Sequence, residues 1–222
     1  MIGSRVIRLD SVASTNDVAA RLAAEGAAEG TAVVAAEQFA GRGRQGRPWH
    51  APAGDGICCS VILRPARPVR EWPDLSWVLA AAVAAFARES GVSGAAVKYP
   101  NDVLVGGRKL AGLLLESRSG CEGQSALICG IGINANTDED GFPEQLRSSA
   151  TSLRMLLGRR QDPDALLAPL FAQLDVWYGL WGREGAAGAL GQMEASGLGS
   201  AAGLVQPDAL EPGAGRVAAE AL

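Results

Sequence analysis

Two adjacent glycines constrain this chain more than any other feature. In NDVLVGGRKLAGLLLES, Gly106 and Gly107 separate two strand-forming runs by the loop length of a tight β-hairpin, whose central residues need positive φ. Strands joined in this way run antiparallel. AAVKYP before the hairpin and SALICGIGINAN after it read as further strands, as do TAVVAAEQ, GICCSVILRP and the alternating run from Arg5 to Leu9. SVASTNDVAARLAAEG offers Ser, Thr and Asn caps before an Ala-rich helix that stops near Gly26. Leu75 to Ser90 fits a helix that is apolar on all sides, with Gly91 placed to end it. From Thr151 to about Leu190 the pattern turns helical, with Ser152 and Asp162 as candidate caps and Pro163 suited to a first turn. Strands followed by helices, with hairpins, point to an α+β fold: a mixed, largely antiparallel sheet flanked by helices.

No repeat or linker divides residues 1–190, which are expected to form one domain. Residues 191–222 mix Gly, Ala and Pro with few β-branched residues and read as a loose tail. Apolar stretches such as Leu79 to Ala87 fall short of the roughly 18–20 residues of a membrane span. The first residues carry no long apolar segment or small-residue cleavage site, so the cytoplasm is the expected compartment. Cys58, Cys59, Cys121 and Cys129 lack C-x-x-C spacing and are read as reduced packing residues rather than metal ligands or disulfides. A net charge of −4 gives no broad cationic surface, so any anion site must be local.

One local anion site is suggested by GRGRQGR. There Arg42, Arg44 and Arg47 alternate with Gly41, Gly43 and Gly46, and free backbone N–H groups and guanidinium forks can surround a phosphate. A solvated loop or a nucleic-acid contact competes with that reading. The segment has neither the G-K-[ST] ending of a P-loop nor the setting of a dinucleotide fingerprint. Lys98, Asn101, Asp102 and Lys109 flank the hairpin, where a carboxylate and an ammonium converge on one site or form a surface ion pair. In GIGIN, Gly130 and Gly132 at alternate positions leave one strand face open for a flat ligand or for close packing, and Asn134 offers an amide.

Taken together and in order, STN at 14–16, EQ at 37–38, GRGRQGRPW at 41–49, KYPND at 98–102, GRKLAGLLLE at 107–116 and GIGIN at 130–134 resemble the catalytic domain of biotin protein ligases. The resemblance implies the biotin/lipoate protein ligase catalytic fold, related to class II aminoacyl-tRNA synthetases. It also implies ATP-dependent formation of biotinyl-5′-AMP and transfer of biotin to a lysine of a biotin carboxyl carrier protein, with Mg²⁺ carried on the phosphates rather than in a protein metal site.

The residues with implied roles follow from the same resemblance. Ser14, Thr15 and Gln38, with the backbone of the Arg42 loop, would hydrogen-bond the ureido ring of biotin, although Ser14 and Thr15 also read as helix caps. Trp49, Leu114, Gly130 and Gly132 would wall the thiophene ring and valeryl chain, and Asn16, Gly41 and Gly112 join the biotin-binding set. Arg42, Arg44 and Lys109 would meet biotin's carboxylate and the ATP phosphates, and Asn134 would contact adenine. Fixed positive charge is what such chemistry needs, because a carboxylate attacking the α-phosphate brings two anions together. Asp102 would orient or deprotonate the carrier lysine in the second step, so Arg42, Lys109 and Asp102 are the expected catalytic residues.

The sequence departs from the family pattern at several points. Tyr99 stands where the family usually has Trp, and His50, the sole histidine, is assigned no role. The STN segment begins too early for an N-terminal DNA-binding domain, so no DNA partner is expected, and a C-terminal β-barrel usual in the family is not recognisable in the tail. The chain is expected to act as a monomer or homodimer. Three other readings compete: a ligase for lipoate or another carboxylate on the same fold, a biotin-binding protein with impaired transfer, and a nucleic-acid-binding module using the Arg/Gly loop.

Overall fold

The hairpin expected at Gly106 and Gly107 is present, with φ of 56° and 79° at the two glycines. The computed structural model describes residues 1–119 and 125–204. Along them lie β1 (Arg5–Val12), α1 (Thr15–Ala24), β2 (Thr31–Gln38), β3 (Gly56–Leu63), α2 (Leu75–Glu89), β4 (Ala96–Lys98), β5 (Asp102–Val105), β6 (Arg108–Ser119), β7 (Ser125–Asn134), α3 (Leu153–Leu157), α4 (Leu167–Ala195) and α5 (Ala201–Leu204). The strands form one seven-stranded sheet in the order β1-β2-β3-β7-β6-β5-β4. Only β1 and β2, linked through α1, pair in parallel; the remaining neighbours are antiparallel. This is the mixed, largely antiparallel α+β architecture that the strand and turn pattern implies.

The alternation of side chains along each strand gives the two faces different jobs. Ile57, Cys59, Val61 and Leu63 of β3, with Leu127, Cys129, Ile131 and Ile133 of β7, point into the main core with α2 and α4. Helix α2 is buried on most sides; Leu75, Val78, Leu79, Val83 and Phe86 are sealed, and each large apolar side chain contributes about 1.5–3 kcal/mol. The opposite face is only partly covered by helix. Ala19 and Ala23 of α1 pack there on Val33, Ile62, Ala126 and Ile128. The remainder of that face, toward the C-terminal end of β7, carries the candidate site.

The packed body continues beyond the limit of 190 set by composition. Helix α4 runs to Ala195, Met193 and Leu198 are buried, and the Val97 N–H donates to the Leu198 carbonyl at 2.8 Å. Ala189 and Met193 are spaced one helical turn apart, a period that the surrounding Gly and Ala obscure. Within α4, Gly185 leaves the helical conformation at φ 70° and ψ −166°, and a β-carbon there would come 2.8 Å from a guanidinium nitrogen of Arg67. Ser152 caps α3 by accepting from the Met155 N–H at 3.2 Å, as expected, and Asp162 accepts from the Asp164 N–H at 3.0 Å in the turn preceding α4. Cys58, Cys59 and Cys129 are free and buried; Cys121 and the tail from residue 205 lie outside the described residues. No helix among the described residues is long and apolar enough to cross a membrane.

Candidate functional site

The registers of the strands place the candidate residues in two rows across the open face. Cys58, Gly132, Gly112, Asp102 and Lys98 lie side by side on β3, β7, β6, β5 and β4, and Ser60, Gly130 and Leu114 form the next row. Lys109 would point to the opposite face if β6 alternated without interruption. The register shifts between Val103 and Leu104 of β5, so Ala111 pairs with Val103 while Lys109 pairs with Leu104. Leu110 is the extra residue of a bulge, and it turns into the core at no measurable exposure. The bulge brings Lys109 onto the face of Asp102 and Gly112, with Nζ 2.7 Å from Asp102 Oδ1. The alignment is poor for a hydrogen bond, which leaves Asp102 Oδ1 buried with an ionic partner and no well-directed donor.

Gly112, Gly130 and Gly132 make a floor without side chains of its own, and three side chains from elsewhere in the protein lie on it. A β-carbon on Gly132 would overlap the Trp49 indole, and one on Gly112 would sit 3.3 Å from the same ring and 2.9 Å from the Lys109 side chain. The ammonium of Lys109 lies 5.6 Å from the centre of the Trp49 ring, within cation–π range. Over Gly130 the place of a β-carbon is taken by the Asn16 amide. Trp49 is held there by the loop, whose ends pair through the Trp49 N–H and the Gly41 carbonyl at 2.9 Å. The close approach requires glycine at 41 as well, since a β-carbon would come 3.0 Å from the Trp49 carbonyl oxygen.

At the α1 end of the floor stands a buried polar cluster. Ser14 occupies the helix cap in an extended conformation, yet its hydroxyl caps nothing. Gln38 Oε1 accepts from both the Thr15 N–H at 2.7 Å and the Thr15 hydroxyl at 2.9 Å. Ser60 Oγ, fully buried, lies 2.7 Å from Thr15 Oγ1 and 2.6 Å from Asn16 Oδ1. Asn16 Nδ2 donates to Glu116 Oε2 at 2.7 Å, and because a carboxylate only accepts, this fixes which way the amide faces. Asn16 Oδ1 can then only accept, so the Ser60 proton goes to it. The single Thr15 proton faces both Gln38 and Ser60. One hydroxyl therefore has an adjustable direction, as a cradle for a ligand with both donors and acceptors requires.

The cations expected to meet the substrate's anions each have a partner within the chain. Arg42 makes a two-pronged pair with Asp17 at 2.6 and 2.8 Å, and Glu116 Oε2 lies 3.9 Å from it. The guanidinium holds the Asp17 carboxyl below the usual carboxylate range. Arg44 reaches the Asn101 side-chain oxygen at 3.2 Å, while Asn101 Nδ2 donates to the Leu113 carbonyl at 2.8 Å. Asn134, expected at adenine, is buried, and its Nδ2 contacts the carbonyls of Lys109 at 3.3 Å and Thr151 at 3.0 Å. In this arrangement its amide N–H₂ pins the segment around Thr151 to β6. His50 contacts the Gly141 carbonyl at 3.2 Å and no group of the floor. Among the described residues, no three His, Cys, Asp or Glu side chains converge as a metal site would require.

Three residues of this arrangement were not singled out by sequence reasoning: Ser60, Glu116 and Asp17. A lone hydroxyl within the apolar run GICCSVIL is the signal that marks Ser60; Asp17 and Glu116 are ordinary charges until the fold brings Arg42 between them.

The sequence and the fold are both similar to those of known proteins. The sequence model of the biotin/lipoate A/B protein ligase family matches residues 9–134. The chain is 41% identical over 167 residues to the bifunctional ligase/repressor BirA of Bacillus spizizenii, covering 73% of this chain and 50% of that protein. It is 40% identical over 174 residues to the biotin–[acetyl-CoA-carboxylase] ligase of Paracoccus denitrificans, covering 74% of this chain and 72% of that protein. The fold is similar to the biotin protein ligase of Aquifex aeolicus in complex with biotin and ATP, with a TM-score of 0.74, 29% identity, and coverage of 86% and 77% of the two chains. The chain spans about half the length of the BirA relative it matches. With a match that takes in α1, the Arg/Gly loop, the hairpin and β7, the chain belongs to the biotin/lipoate A/B protein ligase family.

Proposed function

We propose that this chain is an ATP-dependent biotin protein ligase that forms biotinyl-5′-AMP, releases pyrophosphate, and transfers biotin to a lysine of a biotin carboxyl carrier protein in the cytoplasm. The observation that carries the reading is the buried polar cluster of Thr15, Gln38, Ser60 and Asn16 at one end of a glycine floor, with the Lys109–Asp102 pair at the other. A ureido ring offers N–H and C=O groups that such a cluster can pair. The dithiolane of lipoate offers none, so it would gain nothing from the cluster's remaining donor and acceptor capacity, whereas a ureido ring gains a hydrogen bond for each group it pairs. From β3 to β5 the floor crosses three strand spacings, about 14 Å, which suits a bicyclic head with a valeryl tail ending near Lys109. Similarity to a ligase whose structure contains biotin and ATP supports the same substrates here.

The chain's residues divide the work. Thr15 and Gln38 orient the ureido head; Gly112, Gly130, Gly132, Leu114 and Trp49 enclose the apolar part; Arg42, Arg44 and Lys109 offset the charge of carboxylate and phosphates as they approach. Magnesium enters with ATP as part of the substrate and screens its phosphates. In the second step Asp102, freed of Lys109 as that ammonium turns to the phosphate, accepts a hydrogen bond from the incoming lysine and removes its proton. The test is incubation with biotin, MgATP and a carrier domain, following the adenylate and the carrier mass. Both products support the ligase. Adenylate without labelled carrier restricts the reading to the first step, and neither product overturns it.

A further inference from the structure

Arg42 is the cation of this site with the most complete internal partner. Asp17 offers both carboxylate oxygens to both terminal nitrogens, at 2.6 and 2.8 Å, which is the geometry that a substrate carboxylate or phosphate would itself adopt. Asp17 stands in the first turn of α1, directly after the Thr15 and Asn16 of the polar cluster, so it cannot drift far from the site. Glu116 at 3.9 Å and Arg118, which pairs with Glu116 at 3.3 Å, complete a four-charge group at the rim of the floor. The Asp17 and Arg42 side chains are 51% and 37% exposed, so their bond exchanges with water and can be replaced.

We propose that Asp17 is an internal competitor that occupies Arg42 and lowers the affinity that a ligand's anionic oxygens gain from it. The inference rests on the ligase reading, in which Arg42 meets biotin's carboxylate or a phosphate of ATP. Without ligand, the guanidinium is held folded onto α1 and its charge is neutralised. An anion binds only by replacing Asp17, so a ligand without the anion gains nothing from Arg42, and one with it gains only the difference between two charge-assisted pairs. A role for Asp17 in merely shaping the loop would act on charged and uncharged ligands alike.

The experiment compares wild type with Asp17→Asn, which keeps the side-chain size and removes the charge. Calorimetric titrations use biotin, its uncharged alcohol biotinol, and MgATP. The expected result is that biotin, MgATP or both bind about two- to fivefold more tightly to the variant, the range of an exposed ion pair, while biotinol is unchanged. Tightening of biotin assigns Arg42 to the carboxylate; tightening of MgATP assigns it to the phosphates. Asp17→Glu, which retains the charge, should restore wild-type affinities, and the gain should shrink as salt is raised. Equal changes for biotin and biotinol, weaker binding of both anions, or no change in either overturn the proposal. Wild-type binding of biotin in the same titrations reports on the ligase reading separately, since it does not depend on Asp17.

Discussion

The indole of Trp49 lies on the bare backbone of Gly132, in the space that a β-carbon would occupy. Trp49 is also the least buried tryptophan of the chain; Trp72, Trp77, Trp177 and Trp181 are all in the core. Its seat on the glycine floor is therefore readable by fluorescence. Gly132→Ala should push the ring off the sheet, make a fraction of the emission red-shifted and more open to acrylamide quenching, and weaken biotin binding by at least about tenfold through loss of close contact. Trp49→Phe identifies the component that moves. Unchanged quenching and unchanged affinity in a folded Gly132→Ala protein would show that the floor is not where the ring or the ligand sits.

Lys109 reaches its place only through the bulge at Leu110, and its charge faces both the Trp49 ring and Asp102. Lys109→Met keeps the stem and removes the ammonium. Adenylate formation should fall by about 100-fold or more while biotin affinity changes by less than about fivefold, because the proposed mechanism uses this charge where carboxylate and phosphate meet. Asp102→Asn should have the opposite profile: adenylate forms, and labelling of the carrier lysine falls by about 100-fold. Single-turnover assays of each half-reaction separate the two. Equal loss in both half-reactions for either variant would remove the assigned division of labour.

How far the sequence reveals this arrangement depends on the kind of interaction involved. Period-two runs and the Gly106–Gly107 turn report local geometry, so the sheet, the hairpin and helix α2 can be read directly. Gly130 and Gly132 at alternate positions likewise point to one bare face, because alternation is local. Which atoms meet across strands is not local. Ser60 belongs to the cluster because β3 pairs with β7 in a register that sets it beside Gly130, and nothing in GICCSVIL states that register. Asp17 and Arg42 are brought together by a loop whose path depends on Trp49 docking on a distant strand. The continuation of α4 past Leu190 is hidden by low side-chain contrast: a Gly- and Ala-rich helix shows its buried stripe only at Ala189 and Met193.

Ser60 links Thr15 and Asn16 from a fully buried position, so its hydroxyl should matter to both stability and binding. Ser60→Ala leaves Asn16 Oδ1 without its donor and Thr15 without its neighbour, which should destabilise the fold by about 1–3 kcal/mol in urea denaturation. The sharper expectation concerns coupling. Combining Ser60→Ala with Thr15→Val should give a biotin-affinity loss well short of the sum of the single losses, since both act on one network. Additive effects in that double-mutant cycle would mean that Ser60 supports the strand alone.

Gly185 interrupts α4 at φ 70° and ψ −166°, a conformation that a side chain resists, and Arg67 closes over it. Arg67 also donates to the Gly182 carbonyl at 3.3 Å, pairs with Glu71 at 2.7 Å and lies 5.7 Å over the Trp181 ring. Gly185→Ala should cost about 1–3 kcal/mol from backbone strain and displacement of that guanidinium. Its effect on adenylation, measured well below the melting temperature, should be small because the kink lies on the face of the sheet opposite the floor. Stability equal to wild type would mean that the two halves of α4 can straighten without loss.

Burial of the thiols contributes to how the fold responds to base, beginning at lower pH than the Tyr178 hydroxyl, which burial and Glu29 also push up. Cys58 and Cys129 are both pushed up to about 12 by burial, and Cys59, sealed beside them, moves in the same direction. In the unfolded chain these groups ionise near the ordinary value of 9.0. A folded pKa above the unfolded one means that the stability they contribute is fully present below pH 9 and is lost as the pH rises from there toward about 12, because the unfolded chain releases protons that the folded one retains. Each such thiol adds a slope of about 1.4 kcal/mol per pH unit within that window. The urea midpoint should therefore be level from neutrality to pH 8.5 (about half a unit below the onset), then fall steeply. Cys129→Ala should lower the plateau by removing packing and make the alkaline slope shallower, and a slope unchanged by that substitution would assign the loss to other groups.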